Sequence, residues 1–188
     1  MRGKGAATQG DRQVKLGAGA TADGKRSVLL ILKGSDTAGK GGTTEHVIGA
    51  CGPIGVQYTG FKAPTKEELR HDFLWRIEQQ MPGRGEVVIF NRSHYEDVIV
   101  TRVHNLVPKK VWSKRYKQIN DFERRLADNG THILKFFLNI SPEEQLERFK
   151  ARIDDPLRQW KISQADYEER QYWDDYAAAY EKVLSQCS

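Results

Sequence analysis

The sequence predicts an α/β fold built on a mainly parallel sheet. Three observations carry that prediction. Short apolar runs alternate with stretches of helical periodicity from Ser27 onward. The first run, Val28 to Leu32, is wholly aliphatic, as a strand buried on both faces of a parallel sheet must be. It leads straight into a glycine-rich loop and a helix, the order in which phosphate-binding loops are built.

Each element has a local reason. Val28 to Lys33 reads as the first strand, and a helix follows from near Gly42 until Gly52-Pro53 breaks it. Val56 to Phe61 reads as the second strand. Thr65 and Glu68 stand at capping-box spacing after Pro64, which predicts a helix over 66–80 with Leu69, Phe73 and Ile77 on one face, stopped by Pro82-Gly83. Glu86 to Asn91 is the third strand, and Ser93 starts a short helix running to about Arg102. Pro108 opens a long helix carrying Val111, Tyr116, Ile119, Phe122 and Leu126, closed by Asn129-Gly130. Thr131 to Asn139 is the fourth strand. Ser141-Pro142-Glu143-Glu144 opens a further helix that ends near Asp154-Asp155-Pro156, and a final helix spans Ser163 to about Leu184. Strand ends gather ligands in such sheets, so the loops after Lys33, Phe61 and Phe90 should share one rim.

A chain of 188 residues suits a single domain. Residues 1–26 hold six glycines and no aromatic residue, and read as a flexible basic arm ahead of a folded domain over 27–188. Six of the 30 Lys and Arg and two of the 25 Asp and Glu lie in that arm, leaving 24 basic against 23 acidic residues in the domain. The high isoelectric point therefore belongs to the arm and gives no argument for nucleic-acid binding. Cys51 and Cys187 form no disulfide framework, which fits a reducing compartment. No apolar run approaches a membrane span or a secretion signal, so a cytoplasmic, membrane-free protein is expected.

Gly34-x4-Gly39-Lys40 supplies seven of the eight positions of a phosphate loop, but the eighth is Gly41 where Ser or Thr would hold magnesium. Backbone amides of Gly39, Gly41 and Gly42 can cradle phosphate oxygens, and Lys40 can bridge two phosphates. Asp36 offers a carboxylate for magnesium inside the loop, or is a plain turn former. Thr43 is a weaker candidate for either the phosphate or the helix start. The third strand ends at Asn91, which can hold a magnesium-bound water, and Arg92, which can clamp a phosphate or pair with Glu96 or Asp97. Arg148, Lys150, Arg152, Arg158 and Lys161 gather around Pro156 as a lid over the phosphate rim or as a solvated helix face. His46, His71, His94, His104 and His132 lack metal-ligand spacing, and the Tyr172-Trp173-Tyr176-Tyr180 stripe reads as packing.

Taken together, Gly34 to Thr43, Phe61 to Thr65, Phe73 to Arg76, Phe90 to Glu96, Asp155-Pro156 to Trp160-Lys161 and Tyr172 to Tyr176 resemble, in order, the motifs of the polyphosphate kinase 2 family. The resemblance implies a P-loop kinase-like, three-layer fold with a helical lid at about 146–170. It implies magnesium-dependent phosphoryl transfer between inorganic polyphosphate and nucleoside mono- or diphosphates (AMP/ADP, GMP/GDP); a homo-oligomer is expected separately, to cover the sheet edge where the family's further strand and helix would lie. Asp36 and Lys40 fall on the family's Walker A carboxylate and lysine, Asn91 and Arg92 on its Walker B pair, and Arg148 to Lys161 on its lid. Lys62 and Arg76, inside two of the matching motifs, become nucleotide-binding candidates. Gly41 is then no defect, because the family's loop places Asp early. Asn91 followed by the Tyr95-Glu96-Asp97 run is similar to the subgroup that accepts monophosphates. The family also has a helix before the first strand and a strand and helix beyond the position of Ser188. An ATP-dependent nucleoside monophosphate kinase and an inactive polyphosphate-binding protein are the rival expectations.

Overall fold

The computed structural model of the protein describes residues 24–51, 56–157 and 164–187. The arm expected over 1–26 falls almost wholly outside that range, as does the break at Gly52-Pro53. The strands are β1 (Ser27–Gly34), β2 (Val56–Gly60), β3 (Val87–Asn91) and β4 (Thr131–Leu138). They form one sheet in the order β2-β3-β1-β4, every pair parallel. β1 is central and all eight of its residues are buried, which is why its sequence runs apolar instead of alternating. Its register sets Leu32 beside Asn91 and Gly34 beside Leu138, while Gly60 faces Asn91 across the next pair. β1 and β4 thus end together two residues beyond the ends of β3 and β2, all on one side of the sheet, and the loops that follow them share one rim as expected.

The helices among the described residues are α1 (Lys40–Cys51), α2 (Trp75–Glu78), α3 (Glu96–Val103), α4 (Lys109–Asp128), α5 (Pro142–Asp154), α6 (Gln164–Glu168) and α7 (Trp173–Gln186). One sheet face presents Leu29, Ile31, Val88 and Phe90, which pack with Val98 and Ile99 of α3, Ile119 and Phe122 of α4, and Ala179 and Val183 of α7. The alternate residues Leu30, Leu32 and Ile89 are buried on the other face, where α1 lies against β1 and β3. Helices on both faces of a parallel sheet make the three-layer arrangement. No helix among the described residues is long and apolar enough to cross a membrane.

Several boundaries follow their local signals. Ser141 Oγ accepts the amide of Glu144 at 3.2 Å with Pro142 in the first turn, and Gly130 closes α4 at φ +88°. The first helix begins at Lys40, two residues before the expected Gly42. Two expected helices are not continuous. Over 66–80 the capping box forms, with Thr65 N–H donating to Glu68 at 2.6 Å and Glu68 N–H to Thr65 Oγ1 at 3.2 Å. It caps only a 3-10 turn at Glu68–Arg70, after which His71 is extended and Asp72 Oδ1 takes the amide of Leu74 at 2.9 Å. That side-chain acceptor competes with the helical ladder, so only α2 follows and Leu69 is left 69% exposed. Over 163–184 the helix is interrupted by a 3-10 turn at Glu169–Tyr172. Arg170 in that turn donates to the Pro142 carbonyl and to Gln145, and Glu169 accepts from Tyr176, so partners far along the chain shape it.

The junction of β1 with the loop leaves no space for a side chain. A methyl group on Gly34 would stand 2.7 Å from the Leu138 carbonyl oxygen, on a backbone at φ +153°. Gly34→Ala should therefore lower the stability measured by urea unfolding by about 1–3 kcal/mol.

Candidate active site

The loop from Gly34 to Gly39 curls around the ammonium of Lys40, whose Nζ donates to the carbonyls of Gly34 and Ser35, each at 2.8 Å. Burial drives the Lys40 pKa down to about 8, partly opposed by Asp36 and reinforced by Arg92 and Lys33. A would-be Cβ at Gly41 or Gly42 meets nothing within 4 Å, so both residues are open to their surroundings, and the first amides of a helix have no intrahelical acceptor. Thr43 differs: its amide already donates to the Gly39 carbonyl at 2.9 Å.

Asp36 lies between two cations, with Oδ1 3.9 Å from Lys40 Nζ and 3.6 Å from Arg92 Nη2. Arg92 enters this position through a backbone at φ +64°, a conformation that costs a non-glycine residue about 1–3 kcal/mol. Thr37 in the loop shares it, also at φ 64°. Of the other partners open to Arg92, Asp97 pairs with Arg115 at 3.1 Å, while Glu96 pairs with Lys33 and also acts on the Arg92 charge beside Asp36.

The Lys33–Glu96 pair is part of the site, and sequence reasoning missed it. Lys33 closes an apolar strand and reads there as a strand end, while Glu96 reads as an alternative partner for Arg92 and not for Lys33. Both are largely buried side chains on the cavity wall. Burial lowers the Lys33 pKa. It works against the Glu96 charge, but Lys33 and Arg92 outweigh it and hold that carboxyl below its usual range.

These groups form one end of a cavity of about 520 Å³. Trp173, Tyr176 and Tyr180 of the stripe also line the cavity, so the stripe both packs and faces it. Tyr180 donates to the Gly34 carbonyl at 3.3 Å, and Tyr176 to Glu169 at 2.9 Å. His104 lies 3.1 Å from the Tyr176 hydroxyl and contacts Glu169.

Helix α5 reaches the loop through two side chains. Gln145 Nε2 donates to the Asp36 carbonyl at 3.2 Å, and Arg148 Nη1 to the Thr37 carbonyl at 3.0 Å. Arg148 also pairs with Glu144 at 2.6 Å and Lys150 with Glu147 at 2.8 Å, so part of the expected cation cluster is neutralised along its own helix. Arg152 is on the same helix, half-buried. Arg158 and Lys161 lie outside the described residues. Of the nucleotide-binding candidates, none lines the cavity. Asn91 donates to the Tyr58 hydroxyl at 2.9 Å. Arg76 is buried, with its guanidinium donating to the Lys62 carbonyl at 2.9 Å and lying over the Phe61 ring, and the Lys62 side chain is exposed. Among the described residues no group of three or more His, Cys, Asp or Glu is arranged to hold a metal by itself.

A glycine-rich loop running from a central parallel strand into a helix, with its lysine folded back on it, defines a P-loop kinase-like fold and site. The chain belongs to the polyphosphate kinase 2 family, whose model matches residues 4–188. It is 52% identical over 167 residues to the AMP/ADP-polyphosphate phosphotransferase of Meiothermus ruber, covering 89% of this chain and 62% of that protein. It is 49% identical to the ADP-polyphosphate phosphotransferase of Rhodopseudomonas palustris, with 89% and 62% covered. The crystal structure of polyphosphate kinase 2 from Arthrobacter aurescens TC1 superposes with a TM-score of 0.91 at 50% identity, over 96% of this chain and 65% of that one. The chain thus spans less than two thirds of the length of these relatives.

The enclosed ammonium makes its own prediction. In ligand-free protein the Cε resonance of Lys40 should titrate with a midpoint near 8, well below the lysine value of 10.5. A midpoint above 10 would show that the loop does not desolvate it.

Proposed function

We propose that this chain moves a terminal phosphoryl group between inorganic polyphosphate and nucleoside mono- or diphosphates. The observation that carries the reading is the convergence of Asp36, Lys40 and Arg92 at the loop end of the cavity, where the carboxylate lies within 4 Å of both cations. Family membership and the names of the relatives support the same donor and acceptors.

In this reading the acceptor's phosphate oxygen attacks the terminal phosphorus in line. The bond to the rest of the chain breaks as the new P–O bond forms, and no covalent enzyme intermediate is needed. Lys40 leaves the loop carbonyls for phosphate oxygens, the amides of Gly39, Gly41 and Gly42 cradle them, and Arg92 meets the charge that develops on the transferred group. Thr43 supports the helix start. Arg148 and Arg152, with Arg158 and Lys161, close over the polymer as a lid at about 146–170. Asn91, Lys62 and Arg76 serve the nucleotide side. Magnesium fits the donors available: a single half-exposed carboxylate, Asp36, suits an ion that completes its shell with waters and substrate phosphates. Bound there, it would neutralise phosphate charge. The chain acts in the cytoplasm, as a homo-oligomer, on neither nucleic acid nor membrane.

Purified protein with magnesium, polyphosphate and AMP or ADP should form ADP or ATP. Transfer to AMP from ATP, with no response to polyphosphate, would favour a nucleoside monophosphate kinase. Lys40→Ala should cost about 10²–10³-fold in kcat, and Asp36→Asn should also raise the magnesium concentration needed for half-maximal rate. Wild-type behaviour of Asp36→Asn across a magnesium titration would remove Asp36 from the metal.

The lowered Lys40 pKa sets a pH dependence. Below about 8 the ammonium is charged and ready for phosphate, and above that it must first take up a proton. Affinity for tripolyphosphate, measured calorimetrically, should therefore be flat below pH 8 and fall above it. Lys40→Ala should abolish that fall.

A further inference from the structure

Glu123 lies on α4, outside the cavity, and gathers hydrogen bonds from two other elements of the chain. Its Oε1 accepts from the Tyr95 hydroxyl at 2.7 Å and from His94 Nε2 at 3.1 Å, and its Oε2 accepts from Lys135 Nζ at 2.7 Å. Burial opposes the charge, but the hydrogen bonds from His94, Lys135 and Tyr95 outweigh it and keep the carboxyl ionised. His94 is fully buried, and burial holds its ring neutral. With the proton on Nε2, directed at Glu123, the bare Nδ1 has no hydrogen-bond partner. Glu123 is therefore the one polar group that fixes the orientation of this ring among the described residues. For packing alone, an apolar residue at 123 would fill the same space without desolvating a charge.

Two of the three donors are consecutive residues, and they stand directly after Ser93 and Arg92. The Arg92 backbone is at φ +64° and sits between two anchors. Upstream, its amide donates to the Leu32 carbonyl at 3.3 Å. Downstream, Ser93, His94 and Tyr95 are buried, and the only polar attachments of the latter two to α4 run through Glu123. The Tyr95 hydroxyl also reaches the Cys187 carbonyl at 3.3 Å, which Lys135 binds as well, so the two other donors to Glu123 tie the residue after α7 to this turn. None of His94, Tyr95, Glu123 and Lys135 lines the cavity.

We propose that Glu123 is a positioning residue for phosphoryl transfer, acting through His94 and Tyr95 to hold Arg92 in its left-handed conformation with the guanidinium at Asp36. This rests on the phosphotransferase reading above. Loss of the anchor lets the backbone at Arg92 relax to negative φ and swings its side chain off the transfer line, while the loop and Lys40 stay in place. The effect on turnover comes from misplacement of one charge, for which an ångström can cost about 10²-fold.

A double-mutant cycle tests it, with kcat measured at saturating polyphosphate and magnesium. Glu123→Gln and Tyr95→Phe should each lower kcat, by about 10–100-fold for Glu123→Gln. In an Arg92→Ala background the same substitutions should change kcat by less than about twofold, because the group they position is gone. Equal fold losses in both backgrounds would overturn the proposal and leave Glu123 a structural residue. Ile119→Val, which trims the same core one turn earlier on α4, controls for lost stability and should leave kcat unchanged. If Glu123→Gln fails to fold by circular dichroism, Tyr95→Phe carries the cycle, since it removes a hydroxyl and keeps the packing. A wild-type chain that transfers nothing from polyphosphate would sink the functional reading instead. The cycle would then be read on tripolyphosphate affinity, where additive losses again overturn the role of Glu123 and non-additive ones support it.

Discussion

The register between β1 and β3 is the constraint on which the rest of the site depends. Placing Leu32 beside Asn91 ends β3 two residues short of the end of β1, so the turn leaving β3 emerges beside the start of the loop leaving β1. Asp36 and Arg92, 56 positions apart in sequence, can meet only because of that alignment. A slip of one residue would turn the apolar set of β3 toward the wrong face and carry Arg92 away from the loop. The two faces enforce the register, because Leu29, Ile31, Val88 and Phe90 must bury against α3, α4 and α7 while Leu30, Leu32 and Ile89 bury on the opposite side.

Charge at the loop end of the cavity is deliberately unbalanced. Lys33, Lys40 and Arg92 face Asp36 and Glu96, with the ammonium of Lys33 neutralised inside the wall. Burial makes the excess positive charge costly, as the lowered pKa of Lys40 shows. In the proposed reaction a polyanion would relieve that cost, with phosphate oxygens in place of the loop carbonyls that hold the ammonium, and the low-polarity surroundings would strengthen the attraction.

Helix α5 couples the loop to the rest of the chain. Gln145 and Arg148 hold successive loop carbonyls, at Asp36 and Thr37, and Arg170 in turn holds Gln145. The loop is thereby tethered from outside at Asp36 and at Thr37, whose backbone is at φ 64°.

The α/β class, the four strands and the phosphate loop were legible in the sequence because each depends on local pattern. Val28 to Leu32 is apolar throughout, Gly34 and Gly39-Lys40 have fixed spacing, and Ser141-Pro142 and Asn129-Gly130 are short-range caps and stops. The spacing of the phosphate loop and the end of the third strand likewise brought Asp36, Lys40 and Arg92 forward as candidates. The continuity of the helices expected over 66–80 and 163–184 was not legible, because Asp72 competes with the ladder at one and Gln145 and Pro142 draw Arg170 aside at the other. Nor were Lys33, Glu96, Gln145 and Glu123, whose roles arise from partners on other elements. The sequence by itself determined which segments are strands, where the phosphate loop lies and which chemistry it resembles. Only the tertiary structure decided which charges meet, since an ion pair depends on distance through space and nothing in the local pattern of Glu96 or Glu123 specifies a partner 63 or 12 positions away.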